Sequence, residues 1–437
     1  MRIGTGLTRH NLLKLILMLY LGNVFLPIVF NNLPFPFHSY NFYLAVTLGS
    51  FIFLYPYSFL RKELAWLYLY IALYFLMTYT VRIDRLTPEF SALGVAKERG
   101  GVLLAIVTFW HYIYSRDYTT LWFLCKYALI LSFLSILSSF YIFQRFPEAF
   151  GLIAQGRASD TLIQQVERLG FIGYGFFNGI SSFSPAIVYG FKNRFEKNRM
   201  RFLWIILFTV MFATLLYTET AAFVLFAMLF GGTALLMGQK YMKDLYRLLW
   251  ILIIALFLPK TFIADAFRLS ANVINIPGIS DRFADAAITI EDPFIDYYGS
   301  TEHTGRRLGR IPLLFKSISR SPLIGSGFTT EHVAWLDWLS LYGIIGFFPW
   351  FMLIYNNTKR TLIIVPKSYV PFYLLGSIAF IAMGFLKSTG GYHVWLFWFL
   401  ILPGTGFYHY SFRHVPISED SRSLTKILRS QSKIDNS

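Results

Sequence analysis

The sequence predicts an all-α integral membrane protein with about twelve transmembrane helices. Of its 437 residues, 56% are hydrophobic and 19% are aromatic, whereas only 14% are charged. So much apolar surface does not fit inside a soluble globule, which excludes the soluble classes. The apolar residues are gathered into runs of membrane-spanning length, and many of the basic residues lie between those runs.

Twelve apolar runs are candidate spans, because a helix of about 20 residues crosses the roughly 30 Å hydrocarbon layer of a membrane. The first run has basic flanks, but it is long enough to span and lacks the small-x-small exit of a cleaved signal peptide. In chain order the predicted spans are 12–30, 41–59, 64–80, 100–115, 120–143, 171–191, 202–218, 220–237, 248–264, 333–356, 369–386 and 392–410.

Clusters of Lys and Arg set the predicted orientation. An even number of spans puts both termini on one side, and the clusters after spans two, six, eight and ten share that side. Because Lys and Arg collect in cytoplasmic loops, both termini are predicted to be cytoplasmic. The same bias explains much of the net charge of +16, so nucleic acid is not a predicted partner. Members of these clusters are Arg61, Lys62, Lys192, Arg194, Lys240, Lys243, Lys359 and Arg360.

Single residues constrain the class further. Cys125 is the single cysteine, which excludes an intrachain disulfide and a cysteine-based zinc site. Gly100-Gly101 and Gly231-Gly232 lack the Lys-Ser/Thr of a phosphate loop, and we expect these pairs to let neighbouring helices approach closely. The predicted regions are spans one to nine in 1–264, a long outer loop in 265–331, spans ten to twelve in 332–411 and a basic cytoplasmic tail in 412–437.

The outer loops carry arginines where the orientation rule expects few cations. Positive charge in that position suggests the binding of an anion. The alternative is a set of surface arginines that pair with acidic residues of the same loops. The outer-loop arginines include Arg99, Arg168, Arg306, Arg307 and Arg310.

The long outer loop is expected to hold an amphipathic helix at the membrane interface. Between Leu308 and Ser319 the apolar residues fall near one helical face and the basic residues on the other. Pro312 leaves two possibilities open, a continuous helix or a helix that begins at Arg310 with the proline in its first turn. A continuous helix would bring Arg307 close to the apolar side, where a guanidinium needs an anionic partner.

A sugar carried on a polyprenyl diphosphate would use these features together. Its lipid tail needs an apolar groove, its diphosphate needs cations at the membrane surface, and its sugar needs a polar vestibule. Arginine makes bidentate, charge-assisted bonds to phosphate oxygens and stabilises a leaving diphosphate without a metal. The outer loops contain no HExxH motif, no carboxylate cluster with metal-ligand spacing and no DxD pair, so no metal or other cofactor is predicted.

His332 is the candidate general base, because an imidazole titrates near neutral pH and accepts the proton that an acceptor hydroxyl loses. It lies at the outer end of span ten, where Asp337 is close enough in sequence to orient it. The alternative is a histidine that caps a helix or bonds a carbonyl. Side chains that compete with His332 or support it are Glu219, His303, Lys387 and His393.

One ordered set of motifs runs from the outer loop into span ten. It consists of Thr304-Gly305-Arg306, Pro322-Leu323-Ile324-Gly325-Ser326-Gly327, His332, Leu336 to Leu339, and Gly343-Ile344-Ile345-Gly346. In order and spacing this set resembles the bacterial O-antigen ligase and polymerase superfamily of membrane glycan-assembly enzymes. Arg168-Leu169-Gly170 with Asn178 looks like a further element of that family.

The resemblance implies a GT-C-like membrane glycosyltransferase of the inverting type, independent of metals, in the bacterial inner membrane with its long loop in the periplasm. The implied donor is an undecaprenyl-diphosphate-linked glycan, with Arg168 and Arg306 on the diphosphate and His332 as the base. Arg307 and Arg310 are neighbouring candidates for the same role. The implied acceptor is either a second glycan, in a polymerase, or lipid A core, in a ligase; a chain-length regulator is a further partner to be expected.

The sequence departs from the family pattern in three places. Val333 follows His332 where Asn is common, Thr218-Glu219-Thr220 replaces a Ser-Arg pair, and Pro312 interrupts the loop helix. The stretch from Trp335 to Leu339 favours a polymerase of O-antigen, capsule or exopolysaccharide over a ligase. A secondary transporter or lipid-linked glycan flippase is the alternative of another class, but such proteins place charges at the midplane and often show two related halves.

Overall fold

The computed structural model describes residues 8–81, 92–146, 153, 159–192, 198–217, 221–237, 243–244, 246, 250, 259–273, 280, 283–284, 287–288, 310–330, 333–386 and 391–408. Within these ranges the chain forms helices joined by turns and contains no strand. The all-helical part of the fold prediction is therefore confirmed.

The helices are numbered in chain order. The first group is α1 (Arg9–Phe25), the single turn α2 (Pro27–Phe30), α3 (Tyr40–Leu54), α4 (Ala65–Val81), α5 (Ala92–Tyr114), α6 (Tyr118–Arg145) and α7 (Asp160–Arg168). The second group is α8 (Tyr174–Lys192), α9 (Asn198–Tyr217), α10 (Ala221–Phe226, a π-helical turn at Ala227–Gly231, and Gly232–Leu236), α11 (Lys260–Val273), α12 (Arg310–Arg320), α13 (Ala334–Ile364), α14 (Val370–Leu386) and α15 (Tyr392–Leu396, a π-helical turn at Phe397–Ile401, and Leu402–Thr405).

Short polar side chains fix several helix starts. Thr8 caps α1 by accepting the backbone N–H of Asn11, and Asp117 caps α6 by accepting that of Thr120 at 3.0 Å. Ser159 caps α7 in the same way. Each cap satisfies an amide that has no partner inside its own helix, which is why these residue types begin helices.

Two described helices are long and apolar enough to cross a membrane, Tyr118–Arg145 and Ala334–Ile364. Several other apolar runs are divided by local geometry. The first predicted span is interrupted at Leu26, whose φ of −137° ends α1 before Pro27 begins a new turn. Shorter apolar helices are found at Tyr40–Leu54, Arg201–Leu215, Ala227–Leu236 and Val370–Phe385.

Helix α8 lies at the centre of the packing, against α9, α10, α14 and α15. Two glycines of α8 allow this close packing. A β-carbon at Gly179 would overlap the ring of Phe397, and one at Gly190 would overlap the ring of Trp204. The neighbouring helices therefore approach the α8 backbone closely, as small residues permit in membrane helices.

The predicted role of the glycine pairs holds for three of their four members. A β-carbon at Gly100 would lie 2.9 Å from Leu44 Cδ2, and one at Gly101 would lie 2.7 Å from the Tyr40 hydroxyl. Gly231 packs against Ser184 with a corresponding distance of 3.2 Å. Gly232 has open space at that position, so close packing does not explain it.

Residues that the predicted topology assigns to the cytoplasmic side meet at one end of the helices. His10 Nε2 at the start of α1 lies 3.3 Å from Asp117 Oδ2 before α6. Glu63, before α4, is buried; it accepts the Tyr114 hydroxyl at 2.8 Å and pairs with Arg360 near the end of α13. These contacts bring together helix termini that an alternating up-and-down path would place on one side.

Candidate functional site

A cavity of about 520 Å³ opens at the opposite termini of the helices. It is formed by the end of α1, the turn α2, the start of α3, helix α7, the segment that leads into α8, and the start of α15. Polar side chains on its wall include Asn23, Gln164, Glu167, Arg168 and His393, together with the ring of Tyr392. The cavity joins parts of the chain that lie far apart in sequence.

Arg168, which the sequence singled out, lines this cavity. It is the last residue of α7, and Gly170, two residues later, has a φ of +94°. The Phe171 N–H donates to the Val166 carbonyl at 2.9 Å and the Gly170 N–H donates to the Glu167 carbonyl at 3.0 Å. This pair of bonds is a Schellman motif, which needs the left-handed backbone that glycine adopts freely.

A second helix turn holds the end of α7 in place. The Asn31 side chain donates to the Glu167 carbonyl at 2.9 Å, and the Asn32 side chain donates to the Arg168 carbonyl at 3.0 Å. A β-carbon at Gly170 would lie 2.6 Å from Ile28 Cβ, so α2 is packed tightly against this turn. The backbone of Arg168 is therefore fixed, while its side chain is exposed at the cavity.

His393 contributes a buried imidazole to the same wall. Its Nε2 lies 3.0 Å from the carbonyl oxygen of Val24. Since a carbonyl only accepts, Nε2 must carry a proton and donate it. The ring is packed beside Phe25 and Phe176 and lies 4.4 Å from the ring of Tyr392. This hydrogen bond ties the start of α15 to the end of α1.

Aromatic stacking shapes the rest of the wall. The rings of Tyr40 and Tyr392 are stacked with centroids 3.9 Å apart and an interplanar angle of 15°. The Tyr40 hydroxyl lies 3.2 Å from the Tyr20 hydroxyl. Stacked rings and hydroxyl contacts at this position hold the starts of α3 and α15 together.

Most of the other predicted site residues lie outside the described residues. Arg310 is the first described residue of α12, and Pro312 lies two residues after it. The two possibilities for the start of the loop helix stay predictions, because residues 301–309 lie outside the described residues. The supporting candidate Asp337 is described and is buried. The candidates outside the described residues are Glu219, His303, Arg306, Arg307, His332 and Lys387.

The carboxylate of Asp337 binds the chain on both sides of His332. Oδ1 accepts the Thr330 N–H at 2.6 Å and the Thr330 hydroxyl at 2.9 Å, and Oδ2 accepts the Val333 N–H at 2.8 Å. The sequence makes Asp337 a candidate for orienting the imidazole, and this stays a prediction because His332 lies outside the described residues. The described contacts give it a backbone role, fixing the two ends of the segment that carries His332.

The Pro322–Gly327 turn docks into a break in α13. Helix α13 leaves helical geometry at Gly343, where φ is +62°. The Ile344 N–H donates to the Pro322 carbonyl at 2.8 Å, and the Ser326 N–H donates to the Ser340 carbonyl at 2.8 Å. Backbone groups that lose their helical hydrogen bonds at the break thus form hydrogen bonds with the turn. These two motifs fit each other, so their glycines have a structural role.

Arg99 belongs to the predicted outer arginines but was not singled out as a site residue. It is buried, and its guanidinium carbon lies 4.4 Å from the ring centroids of both Trp338 and Trp350. Its Nη2 donates to the Tyr70 hydroxyl at 3.1 Å. Such cation–π contacts each contribute roughly 0.5–2 kcal/mol. One clue in the sequence points to Arg99, which is the last charged residue before the apolar run 100–115.

Trp395 connects the cavity with the start of α13. It lies two residues after His393, and its ring is stacked on that of Trp338 with centroids 6.1 Å apart. Trp338 directly follows Asp337 in sequence. The Arg168 cavity and the segment held by Asp337 therefore lie beside the same first turn of α15.

Within the described part of the chain, no group of three or more His, Cys, Asp or Glu side chains is placed to hold a metal ion. Comparison with protein-family models found no match to this chain, and comparison with curated proteins found none either.

Proposed function

We propose that this protein is a membrane glycosyltransferase that polymerises glycan repeat units, using an undecaprenyl-diphosphate-linked oligosaccharide as donor. Its product is an O-antigen, capsule or exopolysaccharide, made on the periplasmic face of the bacterial inner membrane. The observation that carries the proposal is the polar cavity of about 520 Å³ beside Arg168. Arg168 is one of the two arginines that the family resemblance assigns to the diphosphate.

The proposal includes a membrane domain of about twelve spans with both termini in the cytoplasm. Support comes from contacts between helix termini. His10 with Asp117, and Glu63 with Arg360, join residues that this topology puts on the cytoplasmic side. The cavity joins Arg168 and His393, which the same topology puts at the periplasmic side, with Asn23 in the outer half of predicted span one.

The proposed chemistry is a direct displacement at the anomeric carbon of the donor. The acceptor hydroxyl oxygen forms a bond to that carbon while the bond from carbon to the diphosphate oxygen breaks, and its electron pair stays on the diphosphate. The hydroxyl proton passes to His332. Arg168 and Arg306 stabilise the charge on the departing diphosphate, with Arg307 and Arg310 beside them, as guanidinium groups do for phosphates.

Glycan analysis of a strain that lacks the gene tests the proposal. Loss of a polymerase leaves lipid A core capped with a single repeat unit, and that is the expected result. Bare core with full-length glycan left on the carrier would identify a ligase instead. Repeat units trapped on the cytoplasmic leaflet would identify a flippase and refute the transferase. Wild-type and Arg168→Ala genes, expressed to equal membrane levels, provide the complementation controls.

A further inference from the structure

Two buried polar side chains on the cavity wall have hydrogen-bonding capacity that no described residue uses. Asn23 is 7% exposed and His393 is 6% exposed. No described residue hydrogen-bonds to the amide of Asn23, and His393 uses only Nε2, which donates to Val24. Buried polar groups are usually satisfied, because leaving them without a partner is unfavourable. Because these two side chains line the cavity, their remaining donors and acceptors are available to a polar ligand.

Among the described residues that line the cavity, Arg168 and Glu167 carry opposite permanent charges, and the remaining titratable side chains are those of His38, His393 and two tyrosines. Arg168 and Glu167 are consecutive residues at the end of α7, both are exposed, and both line the cavity. The buried polar residues on the wall are Asn23, His393 and Tyr40, which carry an amide, an imidazole and a hydroxyl. A multiply charged diphosphate therefore has a partner at the exposed Arg168 but no fixed cation among the buried groups. The buried part of the wall suits an uncharged ligand.

The donors and acceptors of the wall match hydroxyl groups. A hydroxyl both donates and accepts, and so does a side-chain amide, which Asn23 and Gln164 provide. With Nε2 protonated and bound to Val24, Nδ1 is the remaining ring nitrogen of His393 and serves as an acceptor for a hydroxyl. The volume of about 520 Å³ is within the roughly 300–1,000 Å³ usual for small-molecule sites.

We infer that this cavity is a subsite for an uncharged saccharide unit, bound by hydrogen bonds from its hydroxyls to Asn23, Gln164 and His393. The inference rests on the proposed function, in which this unit is the sugar next to the diphosphate held at Arg168. Arg168 then marks the mouth of the subsite, and the start of α15 forms its floor.

Direct binding to the purified full-length protein tests the subsite without requiring catalysis. The probes are oligosaccharides released by mild acid from the surface polysaccharide of the source cell and, separately, inorganic pyrophosphate. His393→Gln keeps a donor near the position of Nε2 but has no group in place of Nδ1. Gln164→Leu removes one amide, and Gln165→Leu, an exposed position on the same helix that does not line the cavity, is the matched control.

We expect wild-type protein and Gln165→Leu to bind the oligosaccharide equally. His393→Gln and Gln164→Leu should each weaken that binding about fivefold or more, the loss expected for one hydrogen bond. Pyrophosphate binding should not change in either variant. The subsite is refuted if the oligosaccharide fails to bind, if Gln164→Leu binds it as tightly as wild type, or if only pyrophosphate binding falls.

The two proposals fail in different ways. Oligosaccharide binding that depends on Gln164 and His393, in a protein without transfer activity, would keep the subsite and refute the transferase. Transfer activity with oligosaccharide binding unaltered by these substitutions would keep the transferase and refute the subsite. Thermal unfolding of each variant, measured in the same detergent, identifies any that is not folded. Asn23→Leu, a near-isosteric change at the opposite wall, replaces a variant lost in that way.

Discussion

Arg168 presents a guanidinium from a rigid helix end, and its substitution tests the proposed reaction most directly. Arg168→Ala should reduce transfer from a lipid-linked donor by about 10² or more, as loss of one charge-stabilising group does in other enzymes. Arg168→Lys should retain part of the activity, because lysine keeps the charge but lacks the planar fork. The measurement is an in vitro transfer assay with purified protein.

Arg145 provides the matched control for Arg168. It is also an exposed arginine at a helix end on the predicted periplasmic side, but its guanidinium bonds the Tyr141 hydroxyl and it does not line the cavity. Arg145→Ala should leave transfer unchanged. Equal loss in both variants would point to a general effect of surface charge, and full activity of Arg168→Ala would remove Arg168 from the mechanism.

The carboxylate of Asp337 accepts hydrogen bonds from two backbone amides and one hydroxyl, so a neutral replacement should destabilise the protein. Asp337→Asn puts an amide NH₂ opposite one of those N–H donors. The expected loss is about 1–3 kcal/mol in the free energy of unfolding, with a steeper fall in transfer activity than in the amount of protein in the membrane. Asp265→Asn is the control, since Asp265 is exposed and pairs only locally with Arg268; a surface pair of that kind is worth about 0–1 kcal/mol. Equal unfolding profiles for Asp337→Asn and wild type would contradict the backbone role.

The sequence indicated Arg168 as a site residue but did not indicate the residues that form the cavity wall around it, and the reason is physical. The orientation rule marks Arg168 as one of many outer-loop cations, and the family resemblance of Arg168-Leu169-Gly170 with Asn178 singles it out. His393 was only a competitor in sequence, and Asn23 carried no signal. Their neighbourhood depends on a bond between His393 and Val24, which are 369 positions apart. Only tertiary packing creates such a contact, and no local pattern in the sequence encodes it.

The break in α13 and the Pro322–Gly327 turn form one element of structure. Gly325 and Gly343 both have positive φ, and β-carbons at either would overlap the backbone of the other segment. Gly325→Ala should lower the free energy of unfolding by at least about 2 kcal/mol, because it adds both backbone strain and steric overlap. Thermal or denaturant unfolding in detergent measures the change.

Gly232→Ala is the appropriate comparison for Gly325→Ala. Gly232 lies in the helical part of α10 with open space at the β-carbon position. Alanine there should be neutral or stabilise the protein by up to about 1 kcal/mol, as alanine does relative to glycine inside helices. If the two substitutions had the same effect, the docking of the turn onto Gly343 would be wrong.

Apolar runs predict where helices form better than where they are interrupted. The runs at 120–143 and 369–386 correspond closely to α6 and α14, because length and hydropathy determine them. The break at Gly343 depends on the Pro322–Gly327 turn, which lies elsewhere in the chain, whereas the bend at Leu26 is local, because a residue before proline disfavours helical geometry. Motif matching detected the Pro322 turn and the Gly343 segment separately, but it did not indicate that they bind each other.

At the scale of the whole molecule, the described helices carry apolar side chains that no other described part of the chain covers. Exposed apolar side chains such as Phe53, at 86%, and Leu236, at 76%, lie on helices whose other faces are packed. In water such residues would be unfavourable, whereas a hydrocarbon layer accommodates them. The polar cavity and the Glu63–Arg360 pair lie at opposite helix termini, as expected for a protein with one membrane face at each end.

Cysteine labelling tests the orientation of these ends in cells. The native Cys125 is fully buried, so it should not react. Ser115→Cys and Lys367→Cys introduce thiols at exposed positions on the predicted cytoplasmic side, and Thr161→Cys introduces one on α7 beside the cavity. A membrane-impermeant maleimide should label Thr161→Cys in intact spheroplasts but should label the other two only after lysis.

Labelling of Ser115→Cys before lysis would reverse the orientation and put the cavity on the cytoplasmic side, where a periplasmic polymerase could not use it. Labelling of Ser115→Cys and Lys367→Cys on different sides would mean that an odd number of spans separates them, and the count of about twelve would then be wrong.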